Sequence, residues 1–99
     1  MTHVRITTFE LVGDFTADEN LIERVREAVR AVANSSPAFL SYESGYDEEG
    51  NIVSVSRWES EEQAAGPMGQ MRAWLAENIG EGMRVIRTSA FDSVVSIVA

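Results

Sequence analysis

The chain has 99 residues, a formal net charge of −8 and no cysteine. That length makes one domain, residues 1–99, and the lack of thiols excludes disulfides, thiolate catalysis and Cys-ligated metal centres. Its basic residues are all arginine, eight against sixteen carboxylates, so the clustered cations that nucleic acids or anionic lipid surfaces demand are not expected.

Residues 3–12, HVRITTFELV, are rich in β-branched and aromatic side chains, with Val4, Ile6 and Thr8 at period two, and predict a strand. GDFTADEN turns the chain, and Thr16 and Glu19 have the spacing of a capping box. The helix that follows, to about Ala33, places Leu21, Ile22, Val25, Ala28, Val29 and Val32 on one face and charged residues on the other. NSSP ends it, with Asn34 suited to a left-handed terminal residue.

AFLSYESGY, DEEGN and IVSVSRW read as strand, turn and strand, a hairpin with Gly50 in its loop. Ser60 then caps a second helix with Gln63 as its capping-box partner, and Gly66-Pro67 is expected to interrupt that helix because Pro67 has no N–H to donate. A restarted segment would carry Met68, Met71, Trp74, Leu75 and Ile79 inward until Gly80 and Gly82. The remaining run, MRVIRTSAFDSVVSIVA, is a long β-rich stretch with a bulge expected near Ala90.

The order is β-α-β-β-α-β, an α+β, ferredoxin-like plan with a four-stranded antiparallel sheet and both helices on one face. Simple alternation gives several strands apolar residues on both faces. Val53 and Val55 lie opposite Ile52 and Trp58, while Val85 and Phe91 lie opposite Ile86, Ala90 and Val94. An apolar patch of that extent on the uncovered sheet face predicts a homodimer whose sheets meet face to face.

At VSVSRWESEE, followed by the interrupted helix, the chain resembles the antibiotic-biosynthesis monooxygenase family and its dimeric α+β barrel superfamily. The hairpin YDEEGNIV and the strand ending WESEE carry the resemblance, and Phe39 to Glu62 is its specific part. The resemblance implies oxidation of a polycyclic or phenolic aromatic by dioxygen with no cofactor, in a pocket between helices and sheet lined by Trp58. Haem-degrading members of the family use an asparagine on the first strand and a histidine on the second helical region. Here the first strand has Thr7 and Thr8, and GPMGQMRAW holds no histidine, so the resemblance does not extend to haem ligation.

Trp58 shares a strand face with Ser54 and Ser56, and two small hydroxyls beside an indole leave room that a packed core would fill with Val or Ile. The alternative is a strand-end tryptophan buried under a helix. Met71 and Trp74 fall on the inward stripe of the second helix, as core or as pocket lining, while Arg72, two positions before Trp74, is expected to point elsewhere. Tyr42 is a candidate for orienting a phenol, and alternation puts it on the face opposite Phe39. Arg57 is expected at the dimer face, paired with Glu43, and His3, the only imidazole, as a solvated chain-end residue. The substrate-binding candidates are therefore Trp58, Ser54, Ser56, Tyr42, Met71, Trp74 and Arg72, with no catalytic base or metal ligand identified. No stretch has the length of a transmembrane helix or the apolar core of a signal peptide. The expectation is a cytoplasmic homodimer binding a small aromatic ligand, either as a monooxygenase or as a non-catalytic small-ligand-binding or accessory protein of the same fold.

Overall fold

The computed structural model describes residues 2–12, 19–78 and 82–99. The elements follow the expected order: β1 (His3–Leu11), α1 (Glu19–Asn34), β2 (Phe39–Tyr46), β3 (Ile52–Trp58), α2 (Glu61–Asn78) and β4 (Met83–Asp92). The strands form one antiparallel sheet in the order β2-β3-β1-β4. Both helices lie against one face, and the core is a small cluster of Val32, Trp58 and Ala64 with Phe39, Met68 and Met71 packed on it. Among the described residues no helix is long and apolar enough to cross a membrane.

The hairpin between β2 and β3 is organised by Asp47. Its Oδ1 accepts from the backbone N–H groups of Glu49 and Asn51, both at 2.9 Å, and its own N–H donates to the Asn51 carbonyl at 2.9 Å. Gly50 closes the turn at φ 82°, a region that costs a side-chain-bearing residue. Ser60 caps α2 by accepting from the Gln63 N–H at 3.2 Å, and the Ser60 hydroxyl donates to Gln63 Oε1 at 2.9 Å. The glutamine thus closes on the cap hydroxyl instead of reaching the cap N–H. Ser60→Ala is expected to cost about 1 kcal/mol, seen as a lower urea midpoint with an unchanged slope. The cap expected at Thr16 and Glu19 lies outside the described residues.

Five sequence expectations need correction. Helix α2 runs unbroken through Pro67. Part of the clash that drives the residue before a proline out of the helical region involves its Cβ, and Gly66 has none. The first helix ends without a left-handed Asn34, since no described non-glycine residue has positive φ. Its last carbonyls are instead met by the Ser35 N–H and hydroxyl at Val32 (3.2 and 3.1 Å) and by the Ser36 N–H at Ala33 (3.3 Å).

The bulge in β4 is at Ile86 and not near Ala90, because Thr8 pairs with Arg87 while Phe9 pairs with Val85. Val85 therefore faces the helices beside Phe9, and Phe91 faces the open side beside Val4. A second bulge at Leu40, between the Phe39↔Trp58 and Ser41↔Arg57 pairs, brings Phe39 and Tyr42 to the same helix-facing side. Finally, Arg57 is exposed on the open face and makes no ion pair with Glu43 or any other described residue.

Candidate ligand cleft between sheet and helices

The register lays out the floor beneath the helices as rows of cross-strand neighbours. Phe39, Trp58, His3 and Asp92 form the first row, and Tyr42, Ser56, Arg5 and Ala90 the second. Ser44, Ser54, Thr7 and Thr88 form the third, and Tyr46, Ile52, Phe9 and Val85 the fourth. The third row is made wholly of small residues and the second contributes Ser56 and Ala90, so a low strip of small side chains lies between the two bulky rows. Helices resting on the bulky rows cannot reach down between them, because Ser, Thr and Ala side chains are too short to fill the gap. The result is a cleft of about 1080 Å³, roofed by Val25, Val29 and Val32 of α1 and by Met68, Met71 and Leu75 of α2. Ligand sites of small-molecule size span roughly 300–1,000 Å³.

Trp58 closes one end. It is 2% exposed, stacks edge to face with Phe39 at 5.3 Å between ring centroids, and donates from Nε1 to Ser56 Oγ at 2.9 Å. The Ser56 hydroxyl in turn donates to Met68 Sδ at 3.9 Å. Tyr42 and Ser54 share a hydrogen bond of 3.0 Å between their hydroxyls. The hydroxyls of Tyr42, Ser54 and Ser56 are therefore already engaged in orienting one another and their neighbours.

Of the candidate site residues, Trp58, Ser54, Ser56, Tyr42, Met71 and Arg72 all line this cleft. Trp74 does not. Along a continuous helix turning about 100° per residue, Arg72 and Leu75 lie roughly 40° and 20° from Met68, whereas Trp74 lies roughly 120° away. Trp74 instead lines a separate groove of about 820 Å³ between α1 and α2, with the Arg24 guanidinium 6.0 Å from its ring centroid. Arg24 also donates to the Asn78 backbone and side-chain oxygens at 3.4 and 3.3 Å. The same phase argument puts Arg72 over the cleft and, as expected, off the Trp74 face.

Sequence reasoning missed three residues. His3 is 2% exposed, not solvated. Its Nδ1 lies 2.9 Å from Asp92 Oδ1, and its Nε2 accepts from Arg5 Nε at 3.2 Å. Arg5 and Thr7 line the cleft floor. Period-two alternation along β1 could have placed His3, Arg5 and Thr7 together on one face. Their partner Asp92 becomes visible only with the β1–β4 register. Among the described residues no group of three His, Asp or Glu side chains could hold a metal ion.

No protein-family model matches the chain, and no curated protein does. Solved structures do match. A mutant of MhuD with two manganese protoporphyrin IX molecules bound per active site aligns with a TM-score of 0.71 at 24% identity, over 98% of this chain and 99% of that one. A monooxygenase from the gene ActVA-Orf6 of Streptomyces coelicolor, in complex with nanaomycin D, aligns with a TM-score of 0.71 at 21% identity, over 98% and 91% of the two chains. SnoaB, a cofactor-independent oxygenase from Streptomyces nogalater, aligns with a TM-score of 0.68 at 12% identity, over 97% and 96%. The chain therefore has the ferredoxin-like fold of the antibiotic-biosynthesis monooxygenases.

Proposed function

We propose that the protein is a cofactor-independent monooxygenase acting on a small polycyclic or phenolic aromatic held in the cleft between sheet and helices. The observation that carries this reading is the floor itself. The small floor side chains Ser54, Ser56, Thr7, Thr88 and Ala90, flanked by aromatic residues and roofed by aliphatic residues and methionines, make a flat slot. A planar ring system fits that shape, and edge contact with Trp58 and Phe39 would hold one end of it. Two proteins of the same fold, ActVA-Orf6 with nanaomycin D and the oxygenase SnoaB, add support.

The chemistry asks little of the protein. A phenol in its tautomer with a ring CH₂ loses a proton, and the resulting carbanion gives electrons directly to dioxygen. A C–O bond forms, the CH₂ becomes C=O, and the second oxygen leaves as water. The cleft contributes orientation and exclusion of bulk water, and Tyr42 and Ser54 offer a hydroxyl pair for a ring oxygen.

The test is fluorescence in a Trp74→Phe background, which leaves Trp58 as the only indole. Titration with polycyclic phenols and quinones is expected to give saturable quenching at micromolar ligand. Ser54→Leu, which fills the floor, should weaken it at least roughly tenfold, about 1.4 kcal/mol or more, with circular dichroism unchanged. Oxygen uptake with the bound ligand then identifies the monooxygenase. Binding without uptake identifies a carrier, and a flat titration removes the ligand-site reading altogether.

We infer in addition that two copies pair through the open sheet face, in the dimeric barrel arrangement that the resemblance implies. Phe91 is 52% exposed there, and Val94, Val95, Ile97 and Val98, just beyond β4, are 75–90% exposed. Apolar surface so extensively wetted is characteristic of an interface.

A further inference from the structure

The cleft runs against the charge of the molecule that contains it. The chain carries −8 overall, yet among the described residues the charged ones around the cleft are Arg5, Arg26, Arg30 and Arg72, opposed by Glu43. Arg26 and Arg30 are paired along their own helix with Glu23 and Glu27. Arg5 and Arg72 make no ion pair among the described residues. Arg5 differs from the other three because it rises from the sheet floor, in the row between Ser56 and Ala90.

Its orientation is set from behind. Arginine Nε–H can only donate, so His3 Nε2, at 3.2 Å, must be the acceptor and carry no proton. The imidazole proton is then on Nδ1, directed at Asp92 Oδ1 at 2.9 Å. Asp92 thus selects the tautomer, the tautomer presents a lone pair to Arg5, and that bond occupies Nε. The imidazole is 2% exposed and cannot turn freely. The two terminal NH₂ groups remain for a ligand, and a guanidinium offers paired donors in a plane that matches an oxyanion.

We propose that Arg5 is the anion-binding residue of the cleft, held by His3 and Asp92 as positioning residues, and that the ligand is an aromatic ring system bearing an oxyanion. This inference rests on the aromatic-cleft reading above and narrows it. A carboxylate on the ring and an ionised ring hydroxyl share the relevant chemistry.

Two matched pairs of probes distinguish these sources by calorimetry: 2-naphthoate against 2-naphthamide, and the enolate of 2-hydroxy-1,4-naphthoquinone against its uncharged 2-methoxy ether. The anionic member of at least one pair is expected to bind roughly tenfold to a hundredfold more tightly, the range of a charge-assisted hydrogen bond. Arg5→Met should bring that ratio close to one while the neutral member binds as before, and Arg5→Lys should retain part of it. Asp92→Ala should lower the ratio several-fold, and Asp92→Asn, which still accepts from Nδ1, should restore it. Because His3 is the only histidine, its long-range ¹H–¹⁵N spectrum reads the tautomer directly in the unmodified protein. A proton on Nε2, or on both nitrogens, overturns the relay. Neutral and anionic probes binding equally well overturns the role of Arg5 and leaves the aromatic cleft standing. Failure of every probe to bind overturns both.

Discussion

Trp58→Ala is expected to cost about 3–5 kcal/mol, the range for truncating a large buried aromatic, and to lower the melting temperature by about 15 °C or more for a domain of this size. The indole is the largest fully buried side chain among the described residues. It ties the sheet to helices that otherwise touch it sparingly, meeting Phe39 of β2, Ser56 of its own strand, and the Val32 and Ala64 faces of the two helices. With so small a core, few other contacts compensate when it is removed. Trp58→Phe separates the packing from the polar component. It keeps an aromatic ring against Phe39 but takes the indole N–H away from the buried Ser56 oxygen, and about 1–3 kcal/mol should be lost on that account. Thermal and urea unfolding of both variants would check the pair. Equal losses would show that the hydrogen bond dominates, and a negligible loss in Trp58→Ala would remove Trp58 from the core.

The reading of β3 survives in the structure because that strand contains no bulge of its own. Alternation from Ile52 to Trp58 holds without a slip, and the small-large pattern of Ser54, Ser56 and Trp58 translates directly into floor and end wall. Alternation fails on β2 and β4 for a physical reason. A bulge is a backbone event, and the residues that occupy these two, Leu40 and Ile86, are ordinary strand formers with no glycine or proline to mark them. Each slip exchanges the faces of everything on one side of it. That is why Phe39 joins Tyr42 over the cleft and why Val85 separates from Phe91.

The phase of α2 was hidden differently. A helix assumed to break at Pro67 has no fixed rotation relative to its first turn, so spacing alone puts Trp74 on the inward stripe with Met71, and puts Arg72 off it. Once the helix is continuous, 3.6 residues per turn place both. The Arg5–His3–Asp92 chain was the least legible feature, because His3 and Asp92 are 89 positions apart and meet only through the register of β1 with β4.

A single substitution on the open face, Phe91→Glu, should convert the inferred dimer to monomers at concentrations where the native protein is fully paired. Phe91 stands beside Val4 on that face, clear of the cleft. Burying a phenylalanine is worth about 1.5–3 kcal/mol, and an isologous interface counts each substitution twice. The loss is then about 3–6 kcal/mol, or roughly a hundredfold to ten-thousandfold in the dimer dissociation constant, before any repulsion between the two new carboxylates. Repulsion adds to the effect, since each chain already carries −8, and that part should weaken with added salt. Light scattering across a dilution series measures the shift, with Phe91→Leu as a control expected to stay dimeric. Since Phe91 lies on the face away from the cleft, the Trp58 fluorescence of a stable monomer should retain ligand quenching. A native protein that runs as a monomer at every concentration would exclude the dimer. A Phe91→Glu protein that stays paired would place the interface elsewhere, with the exposed Val94, Val95, Ile97 and Val98 as the next surface to alter.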